Sequence, residues 1–349
     1  MPGPAPTVLD DAIVRALLPT REPRGHKGTS GMLLIVAGSI DYLGAALLTA
    51  HAACRAGAGL VRLAVPSSLQ PMVAGRVLEA VTIGLPETDI VGEVDAAAAL
   101  DQLLDLDHDA AVVGPGLRPG LSTVDLVVDF LSASGERAPV VVDAEGLNSL
   151  STVEAWWERV ARPCVLTPHV GELTRLMAAA GDRFETVPSD LVTDDEARAA
   201  TVARAAVAWG QVVVLKGART VVAGGEPDPG SVAVAPYENP ALATAGTGDV
   251  LAGTIGALLA QGCPPIDAAR AGVYLHGAAG EIARERYGAA GVVASDLPDE
   301  IARVRRRLEL VAERARSGRR MGFAVGTAHD DGGEGRDGGQ AAGDRGTAS

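Results

Sequence analysis

The chain has 349 residues, 47% of them hydrophobic and 21% charged, enough to bury a sizeable core in one large domain or two small ones. Its formal net charge of −14 argues against an electrostatic footprint on DNA or RNA, while leaving room for a small anion held by backbone N–H groups and a few cations. The opening MPGPAPTVLDDAIVRALLPT lacks the basic start and apolar core of a signal peptide, and no apolar run reaches the ~18 residues of a membrane span. Cys54, Cys164 and Cys263 are odd in number and show no CxxC or zinc spacing. Reduced, mostly buried thiols in a cytoplasmic setting are therefore expected.

Along the chain, short apolar runs alternate with helical patterns. MLLIVAG (32–38) predicts a buried strand, GAALLTAHAACRAGAG (44–59) a helix closing in glycines, and LVRLAVP (60–66) the next strand. AAVVGPG (110–116), PVVVDAEG (139–146), CVLTPH (164–169) and VVVLKG (212–217) continue the series. Helical stretches are expected at 93–104, 121–133, 171–180 and 194–209. Apolar runs without alternation belong to strands covered on both faces, so the pattern predicts an α/β fold with a doubly wound, mostly parallel sheet flanked by helices. TVVAG (220–224) and SVAVAP (231–236) predict a small β-hairpin around the turn residues GEPDPG. Glu300 to Arg320 is charged and helix-prone, and beyond about Gly322 the composition predicts disorder. The expected division is a loose start over 1–7, one domain over 8–318 and a disordered tail over 319–349.

In open α/β sheets ligands sit beyond the carboxyl ends of the strands. Those ends here carry Ala37-Gly38-Ser39, Gly114-Pro115-Gly116, Asp143, Thr167 with His169 and Glu172, and Lys216-Gly217. This concentration of glycine and polar residues predicts one continuous cleft along one edge. Gly114-Pro115-Gly116 reads either as a rigid turn that lets Gly116 approach a ligand or as a plain loop. His169 reads either as a ligand contact or as a structural hydrogen-bonder. For Glu172 the start of helix 171–180 is preferred over a metal-side role.

The stretch NPALATAGTGDVLAGTIGALLAQG (239–262) holds one charged residue, Asp249. Gly246 and Gly248 let the backbone come close to a ligand. The helix expected from about Gly248 points free N–H groups at the same spot, an anion hole formed by Gly246, Thr247 and Gly248. Asp249 in the first turn is either a helix-start acid or a base that takes the proton of a hydroxyl attacking phosphorus. Lys216-Gly217-Ala218-Arg219-Thr220 supplies amides and two cations suited to a nucleotide phosphate or the adenosine end. The AGS at 37–39 is not GxGxxG, so a Rossmann dehydrogenase is poorly supported.

TAGTGDVLAG resembles the GTGD anion-hole motif of the ribokinase-like superfamily. With the segment beginning HKGTSGMLLIVAGS (26–66), VVGPGL (112–117), VVDAEGLN (141–148), LTPHVGE (166–172) and VLKGART (214–220) in the same order, the chain resembles the NAD(P)H-hydrate dehydratase family over roughly residues 8–305. The resemblance implies a ribokinase-like fold. It also implies that ADP, or ATP, phosphorylates the ring hydroxyl of hydrated NADH or NADPH, after which phosphate is eliminated and the reduced cofactor restored. Asp249 becomes the implied base, and Ala45, Gly116, His169 and Asp249 the contacts to the hydrate. Lys216, Gly217, Ala218, Arg219, Thr220 and Gly248 become the nucleotide contacts, and His26-Lys27-Gly28 either closes over the site or is an exposed basic turn. Mg2+ is expected on the nucleotide phosphates, with no dedicated metal ligands. ADP as co-substrate, a homotetramer and a separate epimerase partner are expected by family analogy; no room is apparent for the N-terminal epimerase domain that many relatives carry. A kinase for a small alcohol of the thiamine-precursor type, or a nucleotide-binding module without turnover, are the alternatives.

Overall fold

The computed structural model describes residues 6–21, 24, 30–133, 138–181, 184, 190–225 and 231–324, with side chains through 311. It divides into two compact units, Met1–Glu309 and Leu310–Ser349. The first contains β1 (Thr7–Val8), α1 (Asp11–Leu17), β2 (Met32–Val36), α2 (Leu43–Arg55), β3 (Leu60–Pro66), α3 (Gln70–Ala74) and β4 (Ala80–Leu85). Then come α4 (Ala96–Leu104), β5 (Ala110–Val113), α5 (Leu121–Ser132), β6 (Val140–Val142), α6 (Glu145–Leu150), α7 (Trp156–Arg159) and β7 (Cys164–Leu166). Next are α8 (Val170–Ala179), α9 (Asp195–Trp209), β8 (Val212–Leu215), β9 (Val221–Ala223), β10 (Val232–Val234), α10 (Thr247–Ala260) and α11 (Pro265–Tyr287). The last helix, α12 (Leu297–Ala324), begins in the first unit, and its C-terminal part is the described backbone of the second.

One ten-stranded sheet runs in the order β1-β10-β9-β8-β7-β6-β5-β2-β3-β4. From β8 through β4 every neighbour is parallel. β9 is antiparallel to β8 and β10, so the expected hairpin is present at that end. Alternate strand residues feed two cores. Leu33 and Ile35 of β2 pack with α2, α10, α11 and the first turns of α12. Leu34 and Val36 pack with α4, α5, α6, α8 and α9. Burial on both faces is why the strands read as unbroken apolar runs, and it bears out the doubly wound reading.

Local chemistry sets the helix ends. The helix expected from residue 93 begins at Ala96, because the Asp95 side chain accepts from Ala98 N. Asp194 does the same for α9, which closes at Gly210 with φ 66°. The helix expected to run to 59 stops at Arg55. Glu300 to Arg320 lies within α12, as its composition anticipates. Thr7, expected in a loose start, pairs with Ala233 in the sheet. His26-Lys27-Gly28, residues 1–5 and the chain beyond 324 lie outside the described residues. Cys164 and Cys263 are buried, Cys54 is half-buried, and none is bonded to another. Among the described residues no helix is long and apolar enough to cross a membrane.

Candidate active site

The strand order reverses between β2 and β5, and their carboxyl ends open the crevice where such sheets bind ligands. Gly38 N donates to Pro115 O at 2.8 Å and ties the two exits together. Gly116 (φ 65°) lies so close to the start of α2 that a Cβ on it would meet Tyr42 O at 2.5 Å and Ala45 Cβ at 2.8 Å. Ala45 and Gly116, 71 positions apart in the chain, are thus neighbours at the switch point. The start of α10 adjoins them, since a Cβ on Gly246 would lie 2.6 Å from Leu48 Cδ1 of α2.

Gly246 precedes α10 with φ 89°, a left-handed turn that favours glycine. The Thr247 hydroxyl donates inward, to Leu242 O at 2.8 Å and Thr244 O at 2.9 Å. The Thr247 amide donates to Thr244 O at 3.3 Å. Among the described residues, the amides that remain unpaired at this helix start include those of Gly248 and Asp249. Of the three residues expected to form an anion hole, Gly246 is the turn, Thr247 has its amide paired, and Gly248 has its amide unpaired beside that of Asp249. Asp249 is half-buried in that first turn. Burial, reinforced by the Asp143 carboxylate and opposed by Lys216, pushes its carboxyl up to about 7.

Lys216 follows β8 and reaches across to the end of β6. Its Nζ donates to Asp143 Oδ1 at 2.6 Å and lies 3.7 Å from Glu172 Oε2. Thr167, at the end of β7, donates its hydroxyl to the same Asp143 oxygen at 2.7 Å. Burial alone would lower the Lys216 ammonium, but Asp143 and Glu172 outweigh it and hold it above the ordinary lysine value. His169 is the N-cap of α8. Its Nδ1 accepts from Gly171 N at 3.0 Å while its backbone N donates to Glu172 Oε2 at 2.8 Å. That reciprocal pair makes Glu172 the helix-start acid anticipated for it. The exposed His169 ring places Nε2 3.5 Å from Glu172 Oε1, on the same side as Lys216.

A cavity of about 360 Å³ adjoins this cluster. Lys216, Gly217, Ala218, Thr220, Thr247 and Gly248 form one side, and Pro240, Leu242 and Leu251 give it an apolar wall. Arg219 is turned elsewhere. Its backbone sits at φ 51° and its guanidinium donates to Asp195 Oδ2 at 2.8 Å, beside a different groove. Beneath the loop, buried Arg198 of α9 donates to Leu191 O at 2.6 Å, Leu215 O at 3.3 Å and Lys216 O at 3.5 Å. His276 of α11 lies under the start of α10, its Nε2 2.9 Å from Thr247 O. Burial, slightly opposed by that hydrogen bond, lowers His276 to about 4, so the ring is neutral and donates.

Of the residues expected in one cleft, Ala45 and Gly116 meet at the switch point, Lys216 lies against Gly248 and acts on the Asp249 carboxyl, and His169 and Lys216 share Glu172. Asp143 was visible as a carboxylate ending an apolar run, but its pairing with Lys216 was not. Neither Arg198 nor His276 carries a local sequence signal, because each acts by burial under a distant loop.

The family model for NAD(P)H-hydrate dehydratase matches residues 33–303. The chain is 43% identical over 304 residues to the bifunctional NAD(P)H-hydrate repair enzyme Nnr of Moorella thermoacetica, covering 86% of this chain and 54% of that one. It spans about half the length of the bifunctional relatives it matches. It is also 39% identical over 292 residues to an ADP-dependent (S)-NAD(P)H-hydrate dehydratase of Neisseria meningitidis serogroup B, covering 82% of this chain and 89% of that one. The crystal structure of an ADP/ATP-dependent NAD(P)H-hydrate dehydratase from Bacillus subtilis, co-crystallized with ATP/Mg2+, aligns with a TM-score of 0.70 at 31% identity, over 86% of this chain and 98% of that one. The fold is shared with solved ribokinase-like proteins. With the family model matching residues 33–303 and a 39% identical relative covered over 89% of its length, the chain belongs to the NAD(P)H-hydrate dehydratase family.

Proposed function

We propose that the chain is an ADP-dependent (S)-NAD(P)H-hydrate dehydratase acting in metabolite repair, with Asp249 as its base. The observation that carries this reading is Asp249 itself, a carboxylate raised to about 7 beside the unpaired amides of a helix start and the Lys216 ammonium. A base poised near neutral pH can accept the proton of the hydrate's ring hydroxyl. The hydroxyl oxygen then bonds to the β-phosphorus of ADP, and the bond from that phosphorus to the bridging oxygen breaks, leaving AMP. Loss of the new phosphate with its C–O bonding pair, and of a proton from the ring, restores the carbon–carbon double bond of NADH or NADPH. The amides of Gly248 and Asp249 suit the group in transfer.

Ala45, Gly116 and His169 are the proposed contacts to the hydrate. Lys216, Gly217, Ala218, Thr220 and Gly248 are the proposed contacts to the nucleotide, with Arg219 contributing through its backbone. A Mg2+ carried chiefly by the nucleotide phosphates fits the residues present. The carboxylates near Lys216 offer oxygen, the donor Mg2+ favours. When bound it would offset phosphate charge. A homotetramer, a separate epimerase partner and a cytoplasmic setting belong to the same proposal and rest on family likeness. Incubation with chemically hydrated NADH and ADP tests the activity. Recovery of the near-ultraviolet absorbance of NADH with ADP consumed is expected, and its failure with both ADP and ATP overturns the reading.

A further inference from the structure

Lys216 stands in an awkward place. A Cβ built on Gly248 would lie 3.4 Å from its Nζ, so the ammonium sits against the N-terminal turn of α10. That end of a helix is already positive, and a cation there is unfavourable. The chain invests further in this spot. Asp143, only 1% exposed, fixes the ammonium at 2.6 Å and is itself held by Thr167. The next residue, Ala144, adopts φ 48° and ψ −116°, a strained conformation that a non-glycine residue rarely takes. On the other side, Gly114 is packed so tightly under the Asp143 carbonyl that no side chain fits. Strain, a buried carboxylate and a cation at the wrong end of a helix all converge on one point.

We propose that Asp143 is a positioning residue, aimed by the strained turn at Ala144, that holds the Lys216 ammonium against the amides of α10 so that cation and amides together receive one transferring phosphoryl group. The proposal rests on the phosphoryl-transfer reading above. Without an anion between them the two positive groups repel, and with one they act as two halves of a clamp. The groups facing this point are Asp143 from β6, Glu172 and His169 from α8, Lys216 after β8, Asp249 on α10, and His276 of α11 beneath the turn. Of these, Asp143 raises Asp249 and Lys216 lowers it.

Asp143→Asn keeps an acceptor for Thr167 and removes the charge. Turnover of hydrated NADH should fall about 10- to 100-fold. The acid limb of the pH–rate profile should also move to lower pH, because a like charge beside Asp249 has gone while Lys216 is free to approach it. A purely structural carboxylate would leave kcat and the affinity for ADP and pyrophosphate of the folded variant in place. Ala144→Gly provides a second arm that keeps every side chain of the cluster. Relief of strain should raise the melting temperature while looser aim lowers kcat by about threefold or more. ADP affinity by calorimetry, with pyrophosphate as the base-free probe, should weaken in Asp143→Asn for both. Unchanged kcat and unchanged affinity for ADP and pyrophosphate in Asp143→Asn, or unchanged kcat in Ala144→Gly if the first variant does not fold, overturns the assignment. A wild-type protein that binds ADP but never restores NADH overturns the dehydratase reading, while the affinity comparison still decides the role of Asp143.

Discussion

Gly114 and Asp143 meet backbone to backbone. A Cβ on Gly114 would lie 2.0 Å from the Asp143 carbonyl oxygen and 2.6 Å from Gly146 N, and Gly114 itself holds φ 117°. The end of β5 thus forms the seat on which the end of β6 is set, and with it the carboxylate that holds Lys216. Neither neighbour is a flexible side-chain tip, so nothing can yield cheaply. Gly114→Ala should destabilise the protein by ~3 kcal/mol or more and abolish turnover in whatever remains folded. Urea unfolding of the variant checks this; a loss under ~1 kcal/mol would show that the seat is looser than its contacts imply.

His276 gives a stability prediction with a definite sign. Its folded value of about 4 lies below the ordinary histidine value of 6.5, so the unfolded chain binds the proton that the folded chain refuses. Stability from the neutral buried ring is fully present above about pH 6.5 and drains away as pH falls towards 4. The full loss from this residue is about 3 kcal/mol. His276→Gln retains a donor for Thr247 O and cannot be protonated. The variant should therefore be less stable than wild type at neutral pH through imperfect packing and should close that gap in acid. Parallel unfolding curves at about pH 7 and pH 4.5 decide it, and a gap that is constant between the two rules out titration of this ring.

Most of the sheet was legible because burial on both faces leaves unbroken runs such as MLLIV and VVVL. The hairpin was legible from its turn residues. β4, AVTIGL, was not: it lies at the sheet edge with only Leu85 fully buried, so it gives neither a continuous nor an alternating pattern. The glycines of the site were legible as glycines, but not what they touch. Lys216 reads as a phosphate cation, yet its nearest partner lies 73 residues away on another strand. Arg219 reads as a second cation of the cleft. A left-handed backbone at that one residue instead sends its side chain to Asp195. Pattern reports which residues reach the carboxyl edge; only the register of distant strands decides which of them face each other.

Arg198 is a buried guanidinium with carbonyl partners and no direct carboxylate among the described residues. Burial pulls it below the ordinary arginine value. Its fork spans Leu191 O and the carbonyls of Leu215 and Lys216, and Gly217 passes so close that a Cβ there would lie 3.1 Å from the guanidinium. Arg198→Lys keeps charge but not the fork. A stability loss of ~1–3 kcal/mol is expected. ADP affinity should also weaken by roughly threefold to tenfold, because the loop proposed to hold the nucleotide loses its strut. Calorimetry on the folded variant separates the two; equal ADP affinity would confine Arg198 to the core.

Asp249→Asn tests the centre of the mechanism, and stability and activity should move in opposite directions. The folded carboxyl, at about 7, lies above its ordinary value of 3.8, so the folded chain binds a proton that the unfolded chain releases. The contribution of the protonated group is present below about pH 4 and is lost as pH rises through 7. Asparagine cannot ionise and escapes that loss. The ligand-free variant should therefore be more stable than wild type at about pH 8, by an amount of order 1–4 kcal/mol, with little gain at about pH 4. A carboxylate that serves only as a helix-start acid predicts the reverse, a small loss of at most ~1 kcal/mol at high pH. If Asp249 is the base, turnover should fall by ~10² to 10⁴. Wild-type kcat should rise with an acid limb near pH 7, and the residual rate of the variant should lack that limb. ADP should still bind, because the amides of Gly248 and residue 249 are unchanged. The measurements are paired: NADH recovery and ADP calorimetry at each pH, on both proteins. A variant that binds ADP and restores NADH at close to the wild-type rate would remove Asp249 from the chemistry and leave only the dipole of α10 to explain it.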